Sequence, residues 1–214
     1  VKDTLSLHDA LPIWVQIENR LQRVDRDLLG LQEMLTYGLK GMAAYAYHAW
    51  VLGKTDPGVA AFIFEALHHL ATAEPDAETL LGLNLRCGEA NLRVMELLDA
   101  AHNERFGSPE PTEVRIDPVP GKCILVTGHD LLDLEKLLKQ TEGTGIRVYT
   151  HGEMLPAHAY PRLKRYRHLA GNYGGAWQNQ IREFDAFPGA ILVTTNCIQR
   201  PKLSYMRRMF TGGM

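Results

Sequence analysis

Three side chains that can bind a transition metal follow three short apolar segments in the second half of the sequence. They are His129 in G-H-D, Glu153 in H-G-E-M and Cys197 in T-N-C. The apolar segments before them are Cys123–Thr127, Ile146–Thr150 and Ala190–Thr195. An imidazole, a carboxylate and a thiolate together suit iron or zinc, because sulfur and nitrogen ligands favour these metals and oxygen favours a harder iron.

The elements around these side chains predict that they converge. Helical segments, "DLLDLEKLLKQ" and "QNQIREFDAF", alternate with the short apolar segments, a pattern typical of βαβ units in a doubly wound, parallel, Rossmann-like sheet. All strands of such a sheet end at the same edge, where open α/β folds bind their ligands. We therefore expect the three side chains to lie at one edge.

Each side chain also has a structural interpretation. His129 can belong to the start of a helix with Asp130, Glu153 can cap a turn, and Cys197 can be a small buried hydrophobic residue. Spacing by itself leaves the metal site and these structural roles open.

The stretch "HGEMLPAH" is not a zinc-protease helix. Its glutamate does not directly follow the first histidine, and Pro156 interrupts the helix that both histidines would need. His158 is predicted to be an ordinary residue at a helix start.

The N-terminal half predicts three antiparallel helices. Apolar residues at spacings of three and four predict one long helix from Val15 to about Leu52. Asp56 followed by Pro57 predicts the start of a second helix, and Asp76 the start of a third that ends at Phe106.

The domain organisation follows from these segments. Residues 1–14, "VKDTLSLHDALPIW", resemble a translated sequencing adapter and are predicted to be non-native. Residues 15–107 are predicted to form part of an α-helical domain, and residues 121–214 part of an α/β domain. Four prolines between them predict that residues 108–120 are an extended linker. We treat the chain as a fragment of a longer protein.

Composition excludes several classes of protein. Hydrophobic residues make up 45% and charged residues 22%, which is typical of a folded protein. A net charge of -2 argues against nucleic-acid binding, and no apolar run is long enough to span a membrane. The three widely spaced cysteines, Cys87, Cys123 and Cys197, predict free thiols in a reducing, cytoplasmic setting.

Long contiguous motifs resemble the prismane family of hybrid-cluster proteins over about residues 15–214. The motifs are "GLKGMAAYAYHAWVLG", "PEPTEV", "TGHDLLDLEKLLKQTEGTGIRVYTHGEMLPAHAYP", "HLAGNYGGAWQNQ" and "ILVTTNCIQRPK". The resemblance implies an N-terminal α domain before α/β domains, with a hybrid iron-sulfur-oxygen cluster where they meet.

The resemblance also implies roles for particular residues. His129, Glu153 and Cys197 match the family's first three cluster ligands, and Trp177 and Asn196 match residues on the substrate side of the cluster. His151 and His158 are then structural or supporting residues, and Cys87 and Cys123 match no ligand motif. The remaining cluster ligands, and the cysteines of a second [4Fe-4S] or [2Fe-2S] cluster, are expected outside this chain.

The implied activity of the longer protein is reduction of hydroxylamine to ammonia and water, or of nitric oxide, with electrons from a redox protein. The chain by itself is expected to be inactive. Two alternatives remain at this point: an enzyme resembling nickel-iron carbon monoxide dehydrogenase, and a non-catalytic α/β binding module.

Overall fold

The computed structural model describes residues 17–72 and 74–212. The predicted non-native segment at residues 1–14 lies outside the described residues. The chain divides into two compact units, with the boundary between Ala101 and His102.

Among the described residues of the first unit, all regular structure is helical, and the last helix continues past the boundary. They are α1 Ile17–Arg20, α2 Arg26–Val51, α3 Pro57–Thr72 and α4 Ala77–Phe106.

The prediction of one long helix up to Leu52 is wrong, because the chain leaves the helical path between α1 and α2. Asp25 starts α2 afresh, as its carboxylate accepts hydrogen bonds from the backbone N–H groups of Asp27 at 2.9 Å and Leu28 at 3.4 Å. A local side-chain cap of this kind satisfies orphan helix donors. Hydrophobic periodicity does not detect such a break, since the apolar stripe continues on both sides of it.

The predicted starts of the other two long helices are confirmed. The Asp56 carboxylate accepts from the N–H of Gly58 at 2.8 Å, and Pro57 is the first residue of α3. The Asp76 carboxylate accepts from the N–H of Thr79 at 3.0 Å at the start of α4. These caps stabilise a helix by typically about 1 kcal/mol each.

A buried apolar cluster joins the long helices of the first unit. Its members are Leu35, Leu39, Met42, Val59, Phe62, Ala66, Leu83, Cys87 and Val94. Within residues 17–72 and 74–212, no helix combines the length and the apolar character that crossing a membrane requires.

The second unit alternates strands and helices, as predicted. Its strands are β1 Cys123–Thr127, β2 Arg147–His151, β3 Leu169–Asn172, β4 Ala190–Val193 and β5 Met209–Thr211. Its helices are α5 Leu131–Thr141, α6 Pro161–Lys164, α7 Gln180–Ala186 and α8 Leu203–Met206, with 3₁₀ helices at Gly152–Ala159 and Trp177–Asn179.

The five strands form one parallel sheet in the order β3-β2-β1-β4-β5, which confirms the predicted α/β class. This is the order of the first five strands of a Rossmann sheet, and its direction reverses between β1 and β4. Sequence reasoning placed β1 correctly and β2 one residue early, extended β4 two residues too far, and missed β3 and β5.

Aromatic and aliphatic side chains from the sheet and from α7 and α8 form the core of this unit. The buried members are Leu125, Tyr149, Phe184, Phe187, Ile191, Val193 and Tyr205. The packed core holds the strand ends in a fixed register.

Candidate metal centre

The register of the sheet brings the ends of β1, β2 and β4 level with one another. Thr127, the last residue of β1, pairs with His151 of β2 and with Val193 of β4. Each of these pairs is the last in its ladder. The segments that carry His129, Glu153 and Cys197 therefore leave the sheet at the same edge.

Gly128 allows the chain after β1 to pass close to the chain after β4. Its φ is +110°, and a Cβ atom there would lie 2.7 Å from the backbone nitrogen of Thr195, closer than real Cβ contacts. Only glycine adopts this conformation without strain, so G in the G-H-D motif is a geometric requirement. This crossing lies at the point where the strand order reverses.

His129 is attached to the segment after β4 by the hydroxyl of Thr195. The backbone N–H of His129 donates to Thr195 Oγ1 at 2.8 Å, and the imidazole Nδ1 lies 3.2 Å from the same oxygen. The adjacent Asp130 caps α5, since its carboxylate accepts from the N–H groups of Leu132 and Asp133 at 2.8 and 3.0 Å. The side chain that caps this helix is thus Asp130 and not His129.

Glu153 lies in the first turn of the 3₁₀ helix after β2, with an exposed side chain. Cys197 is half-buried in the loop after β4. Burial raises the pKa of the Cys197 thiol above its ordinary value, and the negative charge of Glu153 raises it further. Glu153 and Cys197 are therefore electrostatic neighbours, although the segments that carry them follow different strands.

Cys197 has a φ of +66°, and among the described residues other than glycine no other φ is positive. Left-handed backbone at a cysteine is uncommon, and such conformations persist where surrounding contacts enforce them. The side-chain amide of the buried Gln180 contacts the backbone on both sides of Ile198 in this loop. Sequence reasoning missed Gln180, since nothing local in "WQNQ" indicates which glutamine is buried.

A second feature that sequence reasoning missed is the pair formed by His151 and Glu183. The fully buried His151 places Nε2 2.9 Å from Glu183 Oε2 and Nδ1 3.4 Å from Thr127 Oγ1. The same carboxylate accepts from the backbone N–H of Gly175 at 3.2 Å. His151 therefore lies inside the fold at the end of β2, where it joins this strand to Thr127 and to Glu183.

Gly174 lies against this pair, and there is no room for a side chain at its position. A Cβ at Gly174 would lie 2.6 Å from Glu183 Oε2 and 2.9 Å from Cδ2 of His151. The loop between β3 and Trp177 thus packs its backbone directly on the His151–Glu183 pair.

The prediction that His158 lies at a helix start is wrong. His158 is near the end of the 3₁₀ helix, is buried, and places Nε2 2.9 Å from the hydroxyl oxygen of Thr150. Thr150 in turn donates to Asn172 at 2.9 Å, so His158 belongs to a polar network that joins β2 to β3.

The two residues predicted on the substrate side border the same edge. Trp177 is 53% exposed, and its carbonyl accepts from Nε2 of Gln199 at 3.0 Å. Asn196, next to Cys197, is exposed. Cys87 and Cys123 are free thiols elsewhere, the first in the core of the first unit and the second at the opposite end of β1.

The donor chemistry fits part of a mixed-ligand iron site. An imidazole, a carboxylate and a thiol occur at three adjoining strand ends, and a bound cation would favour the thiolate form of Cys197 beside the Glu153 carboxylate. Among the described residues, however, no three His, Cys, Asp or Glu side chains are arranged closely enough to hold a metal ion. In the part of the chain that the structure describes, these three side chains therefore do not form a closed metal site by themselves.

Comparison with known proteins identifies the family. The Prismane/CO dehydrogenase family matches residues 10–214, and the chain belongs to this family. The resemblance of about residues 15–214 to the prismane family is thus confirmed.

Three similar proteins carry the same name. The chain is 59% identical to a hydroxylamine reductase of Rhodospirillum rubrum, over 92% of this chain and 36% of that protein. It is 61% identical to a hydroxylamine reductase of Moorella thermoacetica (89% and 45%) and 54% identical to one of Zymomonas mobilis (91% and 36%). The chain therefore spans less than half the length of these curated relatives.

Proposed function

We propose that this chain is part of a hydroxylamine reductase, an iron-sulfur oxidoreductase that converts hydroxylamine to ammonia and water. The observation that carries this proposal is the register of Thr127 with His151 and Val193, which brings the three ligand motifs to one edge. The names of the relatives support the choice of substrate.

In this proposal His129, Glu153 and Cys197 are ligands of a hybrid iron-sulfur-oxygen cluster. The cluster, when bound, supplies electrons and a Lewis-acidic iron to which hydroxylamine can bind. The overall reaction breaks the N–O bond and consumes two electrons and two protons. The electrons come from a redox protein, and the second iron-sulfur cluster has its ligands outside this chain.

The chain's own contribution is to hold donors and to shape the substrate side. Thr195 orients His129 through the contacts with its backbone N–H and with Nδ1. Trp177 and Asn196 would border the substrate, since both are exposed beside the Cys197 loop. An amide both donates and accepts hydrogen bonds, as does hydroxylamine, so Asn196 is suited to orient it.

The test uses the longer protein with His129→Ala and Glu153→Ala. Each substitution should lower hydroxylamine turnover by about 100-fold or more, because loss of a ligand is at least as severe as loss of its supporting contacts. Matched controls are His68→Ala and Glu142→Ala, which alter exposed side chains outside the edge. Unchanged turnover in both ligand variants would remove the assignment.

Metal analysis separates the alternatives. Iron and sulfide without nickel would support the proposal, whereas nickel would favour a carbon monoxide dehydrogenase, and a colourless, iron-free protein would favour a binding module. We expect the chain by itself to assemble no cluster, because thiolates hold iron-sulfur clusters and only Cys197 is offered at this edge. Stoichiometric iron and sulfide in the reconstituted chain would contradict that expectation. A cytoplasmic location stays a prediction from the sequence.

A further inference from the structure

We infer that Gln180 is a positioning residue that holds Cys197 in its left-handed backbone conformation. The part of this inference that concerns the direction of the thiolate toward iron rests on the proposed function.

The geometry is that of one planar amide bridging a loop. Nε2 of Gln180 donates to the carbonyl oxygen of Cys197, and Oε1 accepts from the backbone N–H of Gln199 at 3.1 Å. The amide thus pairs with the chain on both sides of Ile198, much as a neighbouring strand would. Both polar ends of the side chain are satisfied.

The burial of Gln180 increases the energetic effect of losing these hydrogen bonds. Gln180 is 1% exposed, so water does not replace a partner that is lost. Leaving a buried polar group unpaired costs free energy, so the state in which the loop is hydrogen-bonded to the Gln180 amide is favoured. The φ of +66° at Cys197 requires such support, since a residue with a Cβ is strained there.

A third hydrogen bond closes the arrangement. Nε2 of Gln199 donates to the carbonyl oxygen of Trp177 at 3.0 Å. Three hydrogen bonds therefore join residues 177–180 to residues 197–199. The conformation of the Cys197 loop therefore depends on Gln180, which starts the helix before β4, as well as on the sequence of the loop itself.

The consequence for a metal ligand is orientation. A ligand side chain binds productively when its backbone and rotamer are fixed before the metal arrives. Since the Cβ direction follows φ and ψ, the amide of Gln180 fixes the direction of the Cα–Cβ bond from which the Cys197 sulfur extends.

The first test measures the rate at which a bulky maleimide modifies each cysteine of the full chain, followed by peptide mass spectrometry. Gln180→Met keeps the length and apolar volume of the side chain and removes both hydrogen bonds. Modification of Cys197 should become about tenfold faster, the factor expected when hydrogen bonds that keep a loop closed are lost. Gln178→Met, at an exposed glutamine in the same segment, should leave the rate unchanged.

Cys87 and Cys123 are internal references, since loosening of the whole chain would accelerate them as well. An unchanged Cys197 rate in Gln180→Met would overturn the inference. If all three rates rise, amide hydrogen exchange at Gln199 in the unaltered chain decides. Exchange slower by about tenfold or more than in an unstructured peptide supports the inference, and unprotected exchange overturns it.

In the longer protein, Gln180→Met should change the electron paramagnetic resonance spectrum of the cluster, and Gln178→Met should not. An unchanged spectrum would refute the role toward iron. Failure of the unaltered longer protein to reduce hydroxylamine would refute the proposed function instead, while the maleimide and exchange results would still decide whether Gln180 holds the loop.

Discussion

The hydroxyl oxygen of Thr195 lies 2.8 Å from the backbone nitrogen of His129 and 3.2 Å from its Nδ1, so one side chain after β4 holds both parts of a residue after β1. Because β1 and β4 are neighbours at the reversal of strand order, this contact joins the two sides of the crevice where such folds bind ligands. The position of His129 is therefore set across the sheet.

Removal of this hydroxyl should destabilise the chain. Thr195→Val keeps the shape of the side chain but leaves the N–H of His129 without its acceptor, which costs about 1–3 kcal/mol. Urea unfolding monitored by circular dichroism measures the change, with Thr211→Val at an exposed position of β5 as the control. Equal stability of the two variants would show that the contact with His129 contributes nothing to folding.

Gly128 should tolerate alanine far less than another glycine with positive φ. Gly143 has a φ of +74° and no atom within 4 Å of the position that a Cβ would take, so Gly143→Ala adds only backbone strain of about 1–2 kcal/mol. Gly128→Ala adds a collision with the backbone of Thr195 and should destabilise the chain by clearly more. Thermal unfolding of both variants tests this, and similar melting temperatures would argue against close approach of the strand ends.

His158 should make the chain sensitive to mild acid. Burial lowers the pKa of His158 below its ordinary 6.5, and a hydrogen bond with the backbone of Gly171 opposes the shift only in part. As the pH falls, His158 therefore binds a proton at a higher pH in the unfolded chain than in the folded chain. The contribution of neutral His158 to the free energy of unfolding is fully present above pH 6.5, and it is lost as the pH drops through the lowered folded pKa.

The variant His158→Gln measures this effect. It removes the titrating group, so its free energy of unfolding should fall less between pH 7 and pH 5 than that of the unaltered chain, each compared with its own value at pH 7. Identical pH dependence of the two proteins would exclude His158 as the source.

The ion pair of Glu135 should contribute more than an exposed pair. Glu135 Oε2 accepts from Arg105 at 2.6 Å, Lys139 lies 3.0 Å from the other oxygen, and the carboxylate is only 8% exposed. Burial alone would raise the pKa of Glu135, but the hydrogen bonds from Arg105 and Lys139 outweigh it and lower the pKa below 4.5.

Glu135→Gln should therefore cost about 1–2 kcal/mol at pH 7, a modest value because Arg105 is 45% exposed and water screens the pair. The contribution of ionised Glu135 to the free energy of unfolding is present above pH 4.5 and is lost as the pH falls through the lowered folded pKa. The stabilities of the variant and the unaltered chain should therefore converge in acid. Glu65→Gln, which breaks the exposed pair with Arg86, should have a smaller effect at pH 7. A larger effect at Glu65 would reverse this ranking.

Several features were determined by the sequence alone, because they depend on neighbouring residues. The carboxylates of Asp56 and Asp76 start helices wherever they meet free N–H groups two or three residues ahead. The apolar run of β1 indicates a buried strand, and the residue types of His129, Glu153 and Cys197 indicate a metal site as one of two interpretations, beside a structural role for each.

The tertiary structure decided what neighbouring residues cannot specify. The strands "LAGN" and "MFT" lack a recognisable apolar run and become β3 and β5 only by pairing with β2 and β4. In the same way, Gln180 and Glu183 acquire their roles from partners on distant segments. The physical reason is that propensity and periodicity act over a few residues, whereas strand register and buried hydrogen bonds are selected by packing across the whole sheet.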